Sequence, residues 1–303
     1  MTTVVALGGN ALIRKGDRGT AAEQSARLRE AATALQPLLA EPRLVITHGN
    51  GPQVGNELIR QERAAEEVPA LPLYLAVAQT QAEIGAMIAT ELGPRARRPI
   101  ACLITHVVVA EDDPAFARPT KPIGPFYAVE QAQALRAERG WTMVEEQGRG
   151  WRRTVPSPTP LEVVELAQVE ALLDAGTIPV GCGGGGIPVI RRDGRLHGRD
   201  AVIDKDRASA VLAAALGAER LMILTDVAAV KRNFGTAEEE DVRRLTPEEA
   251  DALLPELAEG SMRPKLEAAI AVARAGGEAL ITSLDVVEDA LGGRAGTRVA
   301  SDG

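Results

Sequence analysis

Residues 178–206 read IPVGCGGGGIPVIRRDGRLHGRDAVIDKD, and this stretch decides how the rest of the chain is interpreted. The apolar run at 177–180 predicts a buried strand, which ends in a glycine-rich turn over 181–186. Glycines this dense indicate backbone that takes positive φ or lies against another surface, because each one costs conformational entropy on folding. Backbone N–H groups after a strand commonly bind phosphate oxygens, and a flexible turn is the alternative interpretation.

Asp204, Lys205 and Asp206 follow this turn and begin a predicted helix over 204–216. An aspartate at a helix start caps the first N–H groups, so Asp204 has a purely structural interpretation. Lys205 lies between two aspartates and places a cation on a short tether where a phosphoryl group could lie. The stretch as a whole therefore predicts a phosphate site.

Composition limits the class of protein. The 303 residues are enough for one large α/β domain or two joined lobes. The net charge of −8 argues against a nucleic-acid partner bound through a basic face. Cys102 and Cys182 suggest neither a disulfide framework nor a zinc site, and we find no transmembrane or signal-peptide pattern. These features predict a cytoplasmic protein without membrane or nucleic-acid partners.

Strands and helices alternate along the chain, which predicts a parallel sheet covered on both faces. The predicted strands are 2–7, 43–47, 100–110, 177–180, 220–224 and 279–282, with 296–299 closing the sheet. The predicted helices are 20–39, 53–67, 75–92, 161–175, 204–216 and 264–275, with one more beginning at Thr246. Three strands end in glycine turns, which in chain order lie at 8–12, 48–55 and 181–186. Such turns line up along one edge of an open parallel sheet, where ligands bind. Neither the Walker nor the dinucleotide fingerprint is present.

Residues 111–160 interrupt this alternation. They hold five of the seven aromatic residues and seven of the 19 prolines, which predicts an inserted arm with a small aromatic core of its own. Lys121 lies at its tip among prolines that restrict the backbone. Because the chain has only five lysines, Lys121 is a candidate functional group, with a solvated surface lysine as the alternative. Lys265 is a second candidate, since cap chemistry explains its neighbours Ser261 and Pro264 but not the lysine.

Nine segments of the chain together resemble the carbamate kinases of the amino-acid-kinase family. They are ALGGNAL (6–12), THGNGPQVGN (47–56), PTKPIGPF (119–126), GRGWRRTVPSP (148–158), CGGGGIPV (182–189), AVIDKD (201–206), TDV (225–227), GSMRPK (260–265) and ITSL (281–284). They run in family order from end to end. Family members that act on glutamate, aspartate or UMP usually carry a lysine before the first glycine pair, where this chain has Ala6 and Leu7. Lys121 on the arm resembles the replacement found in carbamate kinases.

The resemblance implies a three-layer αβα sandwich around an eight-stranded, largely parallel sheet, with the arm at 111–160 protruding from it. It implies a single domain over 1–303, with an N-terminal lobe (1–175) for carbamate or carbamoyl phosphate and a C-terminal lobe (176–303) for nucleotide. It also implies a homodimer. The implied reaction is reversible phosphoryl transfer between ATP, with Mg²⁺, and carbamate, forming ATP in arginine catabolism. The sequence does not separate this direction from the synthesis of carbamoyl phosphate.

The resemblance also implies roles for individual residues. Lys121, Lys205 and Lys265 would neutralise the transferring phosphoryl group, and Asp206 would orient the lysines. The residues expected to hold the phosphoryl group and carbamate are Gly8, Gly9, Asn10, Gly49, Asn50 and Gly51. The residues expected to bind nucleotide are Gly184, Gly185, Thr225, Asp226, Val227 and Met262. Mg²⁺ would arrive with the nucleotide phosphates and not at a protein-bound metal site.

Several alternatives stay open. His48 fits a turn-stabilising hydrogen-bond donor better than a proton shuttle. Lys231 lies where the chain departs from its relatives, and it either contacts nucleotide or is solvated, the second being favoured. A kinase of the same fold for another small acid and a non-catalytic nucleotide sensor are the alternative functions. The missing first-strand lysine and the arm argue against the other kinase, and the three retained lysines argue against the sensor.

Overall fold

The computed structural model describes residues 1–14, 16–146, 148–257 and 262–301, so the predicted cap at Ser261 lies outside the described residues. The strands in chain order are β1 (Thr2–Leu7), β2 (Arg43–His48), β3 (Ile100–Cys102), β4 (His106–Val109), β5 (Lys121–Tyr127), β6 (Thr142–Glu146), β7 (Gly150–Val155), β8 (Pro160–Val163), β9 (Ile178–Val180), β10 (Ile187–Arg192), β11 (Arg195–Gly198), β12 (Arg220–Thr225), β13 (Val230–Arg232), β14 (Glu240–Val242), β15 (Arg244–Leu245), β16 (Glu278–Ser283) and β17 (Thr297–Val299). The helices are α1 (Ala21–Ala34), α2 (Gln36–Leu39), α3 (Gly51–Ala64), α4 (Leu73–Ala96), α5 (Val129–Arg139), α6 (Leu166–Asp174), α7 (Lys205–Ala215), α8 (Pro247–Leu253), α9 (Met262–Arg274) and α10 (Val287–Leu291).

An eight-stranded sheet of order β15-β17-β16-β12-β1-β2-β9-β3 forms the centre of the molecule. Its neighbouring strands are parallel except for β16 and β17. Side chains alternate along β1, so that Val4 and Ala6 enter one hydrophobic core while Val5 and Leu7 enter the other. Helices α6 to α9 cover the first core, and α1, α2, α4 and α10 cover the second. The predicted three-layer αβα sandwich is therefore confirmed.

The carboxyl ends of β12, β1, β2 and β9 lie side by side in this sheet. In the strand register Leu7 pairs with His48, and Ile46 pairs with Val180. The three glycine turns therefore leave the sheet at the same edge, as the sequence predicted.

The predicted strand over 100–110 is wrong in its middle. The segment forms β3 in the central sheet and β4 in a second sheet of order β11-β10-β4-β8. Between them, buried Thr105 donates its N–H to Gln81 Oε1 at 2.9 Å and accepts Gln81 Nε2 at its carbonyl at 3.1 Å. The Gln81 side chain, which lies on α4, thus binds the N–H and C=O groups of Thr105 that would pair with a neighbouring strand if β3 and β4 were continuous. The predicted helix over 161–175 likewise begins later, at Leu166, because Pro160–Val163 pairs with β4 as β8.

The aromatic residues of the insertion form no buried core, which corrects the prediction. Two guanidinium groups lie near the ring of Trp141, that of Arg139 at 5.1 Å and that of Arg153 at 4.4 Å from its centroid. Phe126 is exposed and also carries arginines against its ring, while Phe116 packs separately against the core under α7 and α9. Arginine stacking on the rings replaces the burial that the aromatic content had suggested.

Aliphatic side chains attach the insertion to the rest of the molecule. The strands β5, β7 and β6 form an antiparallel sheet with α5 packed against it. Ile123 of β5 and Val155 of β7 are buried in one cluster with Val54 of α3 and Val202. The start of β5, where Lys121 lies, is therefore held against the body of the protein.

Replacing Gln81 by alanine should destabilise the fold. The Thr105 N–H would lose its partner in the interior, which costs about 1–3 kcal/mol in the free energy of unfolding. Urea unfolding measures the change, and Gln79→Ala is the matched control because Gln79 lies on the same helix and is exposed. Equal stability of the two variants would contradict the role given to the Gln81 amide.

Candidate active site

Two of the predicted lysines share one buried carboxylate. Asp206 in the first turn of α7 is 2% exposed. Its Oδ1 accepts a hydrogen bond from Lys205 Nζ at 2.7 Å, and its Oδ2 accepts one from Lys265 Nζ at 3.1 Å. Lys205 begins α7 and Lys265 lies near the start of α9, so Asp206 binds a lysine of its own helix and joins α7 to α9 through Lys265.

The third lysine is held by the neighbouring carboxylate. Lys121 Nζ donates to Asp204 Oδ2 at 3.1 Å, while Asp204 Oδ1 caps α7 by accepting the N–H of Asp206 at 2.9 Å and of Arg207 at 3.4 Å. Burial alone would raise the pKa of Asp204, but the charges of Lys121, Lys205 and Lys265 outweigh it and lower that pKa to about 2. Three ammonium groups thus face two carboxylates and leave one net positive charge.

The first two glycine turns lie beside this cluster. Gly49 donates its N–H to the carbonyl of Leu7 at 3.1 Å, and a Cβ on Gly49 would lie 3.7 Å from Lys205 Cδ. A Cβ on Gly9 or on Gly51 would meet nothing within 4 Å, so the backbone at both positions faces open space. Gly51 is also the first residue of α3, where the helix dipole favours an anion. Asn10 lies in the short turn Gly9–Ala11, and its side chain is outside the described part.

The third glycine turn supports the second one from behind. Gly183, Gly184 and Gly185 are buried and form a short turn. A Cβ would lie 2.4 Å from His48 Nε2 at Gly183, 2.1 Å from Asn50 Nδ2 at Gly184 and 2.4 Å from the Ile203 carbonyl oxygen at Gly185. The space that side chains would need is therefore filled by protein atoms. Nucleotide binding at Gly184 and Gly185 stays a prediction, and any contact would have to use their backbone.

His48 and Asn50 hold the second turn in place. His48 is buried, and its Nδ1 donates to the carbonyl of Gly49 at 2.9 Å. Burial lowers the pKa of His48 to about 4, against the effect of the Gly49 bond and with a further contribution from the charge of Lys205. Asn50 Nδ2 donates to Thr80 Oγ1 at 2.9 Å. His48 is thus neutral at pH 7 and acts as the turn-stabilising donor that the sequence favoured.

The predicted nucleotide residues lie at the ends of β12 and α9. Thr225 ends β12, and its hydroxyl donates to Asp226 Oδ1 at 3.0 Å. Asp226 is exposed, Val227 is half-buried, and Met262 is the half-buried first residue of α9. These residues stay predictions for nucleotide contact.

Lys231 lies in the β13–β14 hairpin and is paired with acidic side chains. It donates to Glu239, and Asp241 lies 3.8 Å away. The Glu239 bond raises the pKa of Lys231. This pairing supports the interpretation of Lys231 as a solvated surface residue.

A cavity of about 800 Å³ borders the lysine cluster. Lys121 and Asp204 line it together with Arg207, Arg263 and Glu267, a set that the sequence interpretation missed. Glu267 Oε2 accepts Arg207 Nε at 3.0 Å, and Glu267 Oε1 accepts Arg263 Nε at 3.3 Å. The i,i+4 spacing of Arg263 and Glu267 on one helix is a sequence pattern that indicates one of these two ion pairs. The other pair, Arg207 with Glu267, joins α7 to α9, and its members are too far apart in the sequence for a local pattern to indicate it.

The described ranges contain neither a metal-binding cluster nor a membrane-spanning helix. No group of three His, Cys, Asp or Glu side chains there could hold a metal ion. No helix there is both long enough and apolar enough to cross a membrane.

Comparison with known proteins agrees with this geometry. The sequence profile of the amino acid kinase family matches residues 1–283. The chain belongs to this family. A carbamate kinase from Thermococcus kodakarensis is 42% identical over 311 residues, covering 99% of each chain, and one from Trichomonas vaginalis is 43% identical with the same coverage. A carbamate kinase from Giardia lamblia bound to AMP-PNP superposes with a TM-score of 0.92 at 37% identity, covering 99% of this chain and 98% of that one. Within the family the chain groups with the carbamate kinases.

The first glycine pair offers a matched test of packing against binding. A Cβ on Gly8 would lie 2.4 Å from the carbonyl oxygen of Leu224, so Gly8→Ala should lower the free energy of unfolding by about 1–3 kcal/mol. Gly9→Ala should leave stability within about 0.5 kcal/mol, because its Cβ has free space. It should nevertheless reduce phosphotransferase activity by occupying the ligand's place. Thermal unfolding and a kinase assay on both variants check this, and a fully active Gly9→Ala protein would remove Gly9 from the site.

His48 should make stability depend on pH. Its folded pKa of about 4 lies below its ordinary value of 6.5, so the unfolded chain takes up the proton first. Stability should therefore be lost as pH falls from about 6.5 to 4, by up to about 3 kcal/mol from this group. Urea unfolding at several pH values measures the slope. His48→Gln should have a shallower slope, and identical slopes would mean that His48 takes up its proton in the folded state at an ordinary pH.

Proposed function

We propose that this protein transfers a phosphoryl group reversibly between ATP and carbamate, giving ADP and carbamoyl phosphate. The observation that carries the proposal is the cluster of Lys121, Lys205 and Lys265 at the sheet edge. There the backbone of Gly9 and Gly51 faces open space. The full-length likeness to carbamate kinases, one of them bound to the ATP analogue AMP-PNP, supports the same substrates.

The proposed mechanism is in-line attack of a carbamate oxygen on the γ-phosphorus of MgATP. Carbamate is already an anion, so the reaction needs no general base, which agrees with a neutral, buried His48 beside the site. Phosphoryl transfer depends mainly on positioning and on neutralising charge. Lys205 and Lys265 would neutralise the charge shared by the transferring group and the ADP oxygen, and Lys121 would act from the carbamate side.

The substrates would bind across the edge of the sheet. Residues 1–175 would supply the carbamate side through Gly8, Gly9, Asn10 and the Gly49–Gly51 turn. Residues 176–303 would supply the nucleotide side, with Thr225, Asp226, Val227 and Met262 near the nucleoside. Mg²⁺ belongs to the nucleotide substrate in this proposal, because phosphate oxygens are ligands that it prefers.

We place the enzyme in the cytoplasm as a homodimer, with ATP formation in arginine catabolism as its direction. The dimer has a structural support in β3, an edge strand of the central sheet that pairs with β9 alone among the described strands. An open edge of this kind is available for pairing with a second chain. The direction rests on the family resemblance.

The deciding experiment measures ATP formation from carbamoyl phosphate and MgADP. The parent protein should turn over, and Lys205→Ala and Lys265→Ala should each lower kcat by about 10²–10³, the usual effect of losing one transition-state donor. Lys121→Ala should also lower turnover, and Lys231→Ala, at a partly exposed lysine of the β13–β14 hairpin, is the matched control that should stay active.

Other outcomes would redirect the proposal. Losses under about tenfold would remove Lys205 and Lys265 from the chemistry. Tight nucleotide binding without turnover by the parent would favour a nucleotide sensor. Turnover with a different small acid in place of carbamate would keep the kinase and change its substrate.

A further inference from the structure

Asp204 uses its two carboxylate oxygens for different purposes. Oδ1 caps α7 through the N–H groups of Asp206 and Arg207, and Oδ2 accepts the ammonium of Lys121. Lys121 and Asp204 are 83 residues apart in sequence, so the pair joins the insertion to the N-terminus of the helix that carries Lys205. The cap is a local feature of the sequence, whereas the bond to Lys121 exists only in the folded protein.

The backbone segments that carry Lys121 and Asp204 are both well packed. Val155, which pairs with Lys121 in the β5–β7 register, is buried in one cluster with Val202, two residues before Asp204. The N–H of Val202 also donates to the carbonyl of Pro156 at 3.0 Å, just beyond the end of β7. The carboxylate and the ammonium therefore meet because the two segments are fastened beside them. A pair of flexible surface side chains would lack this support.

An unpartnered lysine in this place would be poorly defined. The Lys121 side chain is 30% exposed and borders the 800 Å³ cavity. A lysine has four rotatable bonds and a strongly hydrated head group, so without a partner it samples many positions. Among the described residues, Asp204 is the carboxylate that is hydrogen-bonded to Lys121. Asp206 already accepts hydrogen bonds from Lys205 and Lys265.

We propose that Asp204 is a positioning residue that holds the Lys121 ammonium at the reaction site and couples it to the N-terminus of α7. The inference deepens the proposed function, on which the role of Lys121 rests. Asp204 itself does not touch the reacting atoms. It limits the freedom of Lys121 before substrate arrives, so that the ammonium does not have to be ordered during the reaction.

Asp204→Asn separates the two roles. Asparagine keeps an amide oxygen that caps a helix as well as aspartate does, but it presents an uncharged NH₂ group to Lys121. The variant should stay folded, with kcat lower by about 10- to 100-fold and a smaller change in KM. Asp204→Ser, which also caps but cannot reach Lys121, should behave in the same way. Asp251→Asn, which removes a surface ion pair with Arg274, is the matched control and should stay active.

Amine labelling tests the positioning without any assay of activity. Limited acetylation with acetic anhydride, read by mass spectrometry, reports how freely the reagent reaches each lysine. Lys231 is an internal reference, since it is also 30% exposed and paired with a carboxylate. Labelling of Lys121 relative to Lys231 should rise about fivefold in Asp204→Asn, because the bond that covers the nitrogen is lost.

The double variant Asp204→Asn/Lys121→Ala tests whether Asp204 acts through Lys121. If Asp204 works through Lys121, Asp204→Asn should cause no further loss of kcat in the Lys121→Ala background. An equal loss in both backgrounds, or unchanged labelling of Lys121, would overturn the inference and leave Asp204 as a helix cap. If Lys121→Ala is fully active, the proposed role of Lys121 fails, while the labelling result still shows whether Asp204 positions it.

Discussion

The candidate site depends on one buried carboxylate with two cationic partners. An ionised group that is almost fully removed from water is tolerated only where opposite charges and hydrogen bonds surround it. Asp206 meets this condition through Lys205 and Lys265, which come from different helices. Any movement that separated α7 from α9 would break the bond between Asp206 and Lys265 and leave the carboxylate with Lys205 of its own helix as its remaining described lysine partner. The shared carboxylate therefore keeps the two ammonium groups close to each other.

Hydrogen bonds also connect the start of α7, where Lys205 lies, to the central sheet. The carbonyl of Lys205 accepts the hydroxyl of Ser209 at 2.7 Å, and Ser209 Oγ lies 2.6 Å from the hydroxyl of Thr47 in β2. Behind the turn that follows β2, the glycine run fits against His48 and Asn50 so closely that no side chain could replace a hydrogen there. The glycines thus serve the site by close packing, which lets the strand ends and the first turn of α7 approach one another.

Local signals made much of this predictable. Apolar runs gave the sheet strands, glycines marked the strand ends, and the aspartate before Lys205 indicated a helix cap, because each signal acts within a few residues. The break at Thr105 was not predictable, since it depends on a glutamine 24 residues earlier that replaces strand pairing. Neither was the contact of Lys121 with Asp204, which requires the insertion to be seated on α3. Aromatic content misled because arginine side chains lie against several of these rings, which are therefore partly covered without forming a buried core.

The overall charge of the protein and the charge of the lysine cluster act over different distances. This difference explains how a protein of net charge −8 can suit anionic substrates. At physiological ionic strength the screening length is about 8 Å, so most surface carboxylates act weakly at the site. Lys205 and Lys265 are only 12% and 16% exposed, and the lower local dielectric strengthens their attraction for a phosphoryl group in contact with them. Three ammonium groups against two carboxylates leave the cluster one positive charge in excess. A ligand at this sheet edge would therefore meet a local positive excess, although the overall charge of the protein is negative.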